Sequence, residues 1–277
     1  MTPAYRTNPT TIAVANAKGG AGKTTLAVHL ATGLARAGQR VLLVDLDSQA
    51  NATGWLLGPL AENAAGVADV LTRGLPLERV VREVPGREGL SVAPATAALA
   101  GADLALAGEV GGETLLAKAL APVAGRFDLV VLDCPPNLGL SVVSALYAAR
   151  WLLAPVPPSF LALAGLRRLE ETRERINERL NARTEVLGYV LFDVDAREGI
   201  SAESRELLGR QAGERLLRSE VRTSAAAKTL PAHRLTAWDP GADPRGAEDY
   251  GELLAEVQQR LAAGARRRKG TGTNGEA

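Results

Sequence analysis

Residues 11–25 read TIAVANAKGGAGKTT, and no other stretch limits the fold as severely. An apolar run gives way at Ala17 to nine residues that hold three glycines, two lysines and two threonines. Glycines let the backbone curl so that successive N–H groups point inward, and a helix that starts where the curl ends adds its partial positive charge. Strand, loop and helix in this order make a cradle for phosphate, which belongs at the carboxyl edge of a parallel sheet. Lys23 then reaches the β- and γ-phosphates of a nucleotide, and the Thr24 hydroxyl is placed to ligate Mg²⁺. The general pattern G-x-x-x-x-G-K-[ST] fails at one position, its first glycine, which here is Ala17.

The rest of the chain agrees with a parallel sheet. Short apolar runs at 11–17, 40–45, 90–95, 128–133, 151–156, 186–194 and 216–221 read as strands. Amphipathic stretches near 23–37, 112–124, 139–149, 162–181, 201–214 and 246–263 read as helices. Strands this continuously apolar are buried on both faces, so helices must cover both. The expected fold is a doubly wound, mainly parallel α/β sheet of the P-loop NTPase type. Residues 1–10 read as an N-terminal extension and 11–264 as one domain. Residues 265–277, with four consecutive basic residues among glycines, read as a disordered tail.

Composition excludes several classes. The net charge of +1 gives no overall basic excess, so any contact with nucleic acid must come from a local patch. The uncharged runs 134–149 and 151–166 contain prolines and fall short of the roughly 20 residues that span a bilayer. The N-terminus lacks an apolar signal core, and the single Cys134 leaves no disulfide framework and no multi-cysteine metal site. A cytoplasmic protein is expected. Cys134 reads as a small buried thiol, and His29 and His233 as structural or exposed side chains.

Lys18 is the unexplained residue of the loop. The chain has five lysines, and two of them lie here, so a generic solubilising role fits poorly. The segment KGGAGKTT (18–25) resembles the deviant Walker A loop of the ParA/MinD ATPases, most closely the Soj-like ParA branch, in which the early lysine is the signature. The resemblance covers about residues 10–262. It implies an ATP-sandwiched homodimer in which Lys18 reaches the phosphates held by the other subunit, while Gly19, Gly20, Ala21, Gly22, Lys23, Thr24 and Thr25 wrap the chain's own nucleotide. It also implies that Asp47, in DLDSQ, orients the attacking water and that Asp45 stands near the Mg²⁺. Ser48 occupies the place of the family's usual proline. The run FDLVVLD resembles a Walker B strand that sets Asp133 beside the metal, and CPPNLG comes after it with Asn137 in place of the family's serine. Residues 221–257 resemble the family's C-terminal third, which makes Arg222 and Thr223 candidates for the adenine site.

Within the family, one cysteine rules out a cluster-bearing reductase. A MinD-like, membrane-associated positioning ATPase is the main alternative, and it needs a basic amphipathic helix at the C-terminus. Here the last helix carries Glu248, Asp249, Glu252 and Glu256 opposite its apolar stripe, so no membrane partner is expected. The leading expectation is a DNA-partitioning ATPase, nucleoid-associated, that binds nonspecific double-stranded DNA as an ATP dimer and is stimulated by a ParB-like centromere-binding partner. The candidate DNA contacts are Arg222, Lys228, Arg234 and Arg245, with Arg266, Arg267, Arg268 and Lys269 in the tail. With no helix-turn-helix before Thr11, binding should ignore base sequence.

Overall fold

The computed structural model describes residues 9–195 and 199–271. In chain order the elements are β1 (Thr10–Val14), α1 (Lys23–Arg36), β2 (Val41–Asp45), α2 (Asn51–Leu57), α3 (Val67–Arg73), β3 (Arg82–Glu83), β4 (Leu90–Ala93), α4 (Leu99–Ala107), α5 (Leu115–Leu120), β5 (Leu129–Asp133), α6 (Leu140–Ala148), β6 (Trp151–Val156), α7 (Phe160–Leu180), β7 (Glu185–Val194), α8 (Gly199–Ala212), β8 (Leu216–Arg222), α9 (Leu230–His233) and α10 (Pro244–Thr271). The strands form one sheet in the order β3-β4-β2-β5-β1-β6-β7-β8. All neighbours pair in parallel except β3 with β4.

Every residue of β2, β5 and β6 is buried, as expected for strands covered on both faces. One face packs Leu42, Val44, Val130 and Leu132 against α3 to α8; the other packs Leu43, Val131 and Leu153 against α1, α2 and α10. The parallel arrangement brings the ends of β1, β2, β5, β6, β7 and β8 to one edge. The phosphate loop, Asp45, Asp133 and Thr223 therefore meet along one side of the sheet.

Two expectations need correction. The short helices α2, α3, α4 and α9 fall outside the expected set, and β3, two exposed polar residues at the sheet edge, carries no apolar pattern. The last helix also does not stop at 263 but runs to Thr271, so residues 265–271 of the expected disordered tail are helical. Gly264 reads as a stop signal, yet it lets α10 pass close to the sheet: a Cβ there would lie 2.4 Å from the Trp151 ring. Beyond it Ala265 and the arginines are good helix formers. Residues 1–8 of the N-terminal extension, residues 272–277 of the tail and the side chains of Arg268 and Lys269 lie outside the described residues.

His29 is structural. Its ring is fully buried, stacks on Tyr250 at 3.8 Å and bridges α1 to the C-terminal segment. Nδ1 donates to Thr25 O at 2.7 Å, and Nε2 accepts the Ala237 N–H at 3.1 Å, which fixes the neutral tautomer. Burial pulls its pKa down to about 4, helped by nearby Arg87 and opposed by the Thr25 carbonyl and Asp239. The unfolded chain therefore binds a proton that the folded chain refuses between about pH 6.5 and pH 4, and stability is lost as pH falls through that window. Urea unfolding should show wild type losing about 2 kcal/mol between pH 7 and pH 5 beyond what His29→Gln loses. Equal losses in the two proteins would remove His29 as the cause.

Candidate active site

The phosphate loop is pinned at both ends before it meets a ligand. Asn16, buried at the end of β1, donates from Nδ2 to Pro155 O at 2.6 Å and accepts the Lys18 N–H on Oδ1 at 2.9 Å. The loop's entry is thereby tied to the end of β6. Its exit is the N-terminus of α1, where Gly22 adopts φ 88° and has no room for a side chain. A Cβ at residue 22 would stand 2.2 Å from Phe192 Cε1, so the β7 ring holds this turn from above. Gly20 is left-handed as well, at φ 71°, which together with Gly22 turns the backbone amides inward.

The two lysines point to different work. Lys23 is 6% exposed and its Nζ donates into the loop, to Lys18 O at 3.2 Å. Burial lowers its pKa, against the pull of Asp133 and Asp47. The Lys18 Nζ leaves the loop and meets Ser159 Oγ, at the start of α7, at 3.3 Å. Lys23 thus occupies the cradle alone.

Three aspartates stand beside it. In the sheet register Asp133 on β5 is flanked by Val14 on β1 and Asp45 on β2. Asp45 is fully engaged with its own chain: Oδ1 accepts the Asp47 N–H at 3.1 Å, and Oδ2 accepts the Thr53 N–H and hydroxyl at 2.9 and 2.7 Å. It anchors the segment that carries Asp47. Asp47 closes its own turn, with Oδ1 accepting the Gln49 N–H at 3.0 Å and its carbonyl the Ala50 N–H at 2.8 Å. These bonds close the turn around Ser48.

Asp133 differs from both. It is fully buried, and neither carboxylate oxygen has a hydrogen-bond partner among the described residues. Burial raises its pKa well above the usual carboxylate range, with further push from Asp45 and Asp47, while Thr24 and Lys23 oppose the shift. The Asp45 carboxyl is raised too, by burial above all. An orphaned buried carboxylate between a second carboxylate and the Thr24 hydroxyl suits a hard divalent cation, which offsets both the repulsion and the desolvation. The residues therefore fit Mg²⁺, with Asp133 and Thr24 as the groups that would hold it and Asp45 as a support. No cluster of three or more His, Cys, Asp or Glu ligands that could hold a metal occurs among the described residues.

The remaining candidates separate. Cys134 is buried, and burial and Asp133 push its thiol far above its usual range, so it stays protonated. Thr223 follows β8 at the sheet edge that carries the phosphate loop, donating its N–H to Val194 O at 2.9 Å. Arg222 is engaged within its own chain, its guanidinium held by Glu248 and Asp249 at 2.7 and 2.6 Å. Arg245 is paired with Asp243 at 3.1 Å, and the Arg234 guanidinium lies against Gly58. Lys228, Arg266 and Arg267 are exposed. Sequence reasoning missed Asn16, Thr53, Ser159 and Phe192. Only Asn16 left a trace, as a polar residue that closes an apolar strand.

A family model described as an AAA domain matches residues 9–186. The chain is 35% identical to the sporulation initiation inhibitor protein Soj of Bacillus subtilis over 89% of its length and 97% of that protein. It is 38% identical to the chromosome-partitioning ATPase Soj of Thermus thermophilus, over 90% of this chain and 96% of that one. The structure of a cobyrinic acid a,c-diamide synthase from Mycobacterium smegmatis, solved with an ATP analogue and magnesium, matches with TM-score 0.79 and 28% identity over 92% of this chain and 97% of that one. Cyanothece McdA bound to ATP matches with TM-score 0.83 at 21% identity, over 92% and 97%, and shares the fold. The deviant loop with its two lysines, the three aspartates at one sheet edge and these likenesses converge: the chain belongs to the ParA/MinD family of ATPases.

Proposed function

We propose that the chain is a partitioning ATPase of the Soj type, whose ATP-bound dimer holds DNA without regard to sequence and lets go on hydrolysis. The observation that carries this reading is the separation of the two lysines. Lys23 sits inside the cradle, whereas the Lys18 ammonium is turned out of it toward Ser159, which suits a cation destined for a second subunit's phosphates. Lys23 binds and neutralises the β- and γ-phosphates, the amides of residues 19–24 orient them, and Asp47 positions water for in-line attack. Bound Mg²⁺ would neutralise charge on the phosphate oxygens. A ParB-like protein then acts as the partner that accelerates this step.

The membrane-positioning alternative asks for an apolar helix face free to enter lipid. On α10 that stripe is used elsewhere: Tyr250, Leu253 and Val257 are buried against the sheet and α1. The opposite side is spent on the protein as well, since Asp249 binds Arg222 and Glu256 receives the amides of Arg218 and Ser219. Among the described residues no helix is long and apolar enough to cross a membrane.

Arg222 and Arg245 are each held by acids of this chain; the other candidate DNA contacts are Lys228, Arg234, Arg266, Arg267, Arg268 and Lys269. So few contacts per subunit become useful only when two subunits present them together. Co-sedimentation with double-stranded DNA should therefore succeed with ATP and fail with ADP, and it should fall by at least tenfold between about 50 and 200 mM salt. Equal binding with ADP would contradict the dimer reading. Binding to anionic vesicles in preference to DNA would return the membrane alternative.

A further inference from the structure

Helix α6 opens without a cap of its own. Its N-cap residue is Gly139, which has no side chain to offer the amides of the first turn. The acceptor comes instead from α4. Asp103 Oδ1 takes the Ser141 N–H at 3.1 Å and the Ser141 hydroxyl at 2.5 Å, across 38 positions of sequence. The carboxylate lies close against the turn itself, for a Cβ at Gly139 would be 3.2 Å from Asp103 Oδ2. An anion is favoured here by the unpaired amides and the dipole of the helix.

What makes this cap more than a helix end is the segment it terminates. Residues 134–140 join Asp133, the orphaned carboxylate of the active site, to α6. The near end is fixed by the Cys134 N–H, which donates to Val14 O at 3.2 Å, and Pro135 and Pro136 stiffen the chain just beyond it. The far end is fixed by Asp103. Between the two anchors Asn137 is exposed and Leu138 half-buried, at the same sheet edge as the phosphate loop. Their place relative to Asp133 is set by those anchors. Helix α4 is seated on one side only: Ala102 and Leu106 are buried, whereas Leu104 is 82% exposed.

We propose that Asp103 is a positioning residue for ATP hydrolysis, holding the 134–140 segment in register with Asp133 through Ser141. Its loss slows the chemical step and leaves nucleotide binding, which rests on the phosphate loop, unchanged. The proposal depends on the ATPase assignment and not on DNA or on a partitioning partner.

The test uses the full chain with Asp103→Ala, Asp103→Asn and Ser141→Ala, and two kinds of readout. In Asp103→Ala, kcat should fall about tenfold while KM for ATP stays within about twofold, the pattern of an interaction expressed in the transition state. Without nucleotide, amide exchange at Ser141 should rise about tenfold as the bond to the carboxylate is lost. Asp103→Asn keeps an acceptor oxygen and should recover most of the protection and about half of the rate. Ser141→Ala should slow hydrolysis less, and the double variant should be no slower than Asp103→Ala, since both act through one contact. A faster amide with unchanged kcat would reduce Asp103 to a structural cap and overturn the proposal. So would unchanged exchange, or a joint fall of kcat and ATP affinity. The exchange measurement needs no nucleotide, so it stands or fails separately from the ATPase activity.

Discussion

Lys23→Ala is expected to weaken ATP binding by about a hundredfold or more. The side chain is 6% exposed and delivers its ammonium inside the cradle, beside Asp133 and Asp47. Without it a triphosphate would meet those carboxylates with no cation from the loop to offset them. Each charge-assisted bond to phosphate is worth about 1.5–3 kcal/mol, so the loss of two brings the expected factor. Titration with a fluorescent ATP analogue measures it directly, with thermal unfolding as the control for folding. Affinity within about threefold of wild type would remove Lys23 from the phosphate site.

Asp47→Ala should leave ATP binding intact and lower hydrolysis by about a hundredfold, because water loses the group that orients it. Asp47 also holds a turn, since Oδ1 accepts the Gln49 N–H and the carbonyl the Ala50 N–H. Asp47→Asn separates the two roles. It keeps an acceptor for Gln49 but lacks the carboxylate's charge, so it should remain nearly as slow as the alanine variant. A fully active Asp47→Asn would mean that the turn, and not the charge, is what hydrolysis needs.

The sheet was legible because its physics is local. A short, β-branched apolar run such as LVVLD reads as a strand buried on both faces, and the alternation with amphipathic stretches left parallel order as the natural arrangement. What escaped was local structure without a local signal. β3 is two polar residues held only by pairing with β4, and α2 and α4 are short, with Gly54 and Gly101 inside them. Gly264 misled for the opposite reason: glycine does mark helix ends, but here a neighbouring tryptophan demands it.

The active site divided in the same way. Lys18, Lys23, Asp47 and Asp133 came from contiguous motifs, and the structure brings their segments to one edge. The residues that hold these motifs in place were invisible. Asn16 works through Pro155, Lys18 through Ser159 and Asp103 through Ser141, and each pair joins elements far apart in sequence. Such contacts depend on which strands become neighbours, and that is decided by the whole sheet. Arg222 and Arg245 showed the limit from the other side, since a basic residue in sequence is a free cation only if no acid folds beside it.

We propose that each nucleotide site draws one lysine from each of two subunits. Lys18→Ala and Asp47→Ala proteins, each nearly inactive alone, should be mixed in equal amounts with ATP and DNA and assayed for phosphate release. In a mixed dimer, the site on the Lys18→Ala subunit keeps its own Asp47 and receives Lys18 from its partner. The mixture should regain about a quarter of wild-type activity, with half of the dimers mixed and one of two sites complete in each. If Lys18 served only its own subunit, no site in any dimer would be whole, and a mixture no faster than its parents would contradict the account.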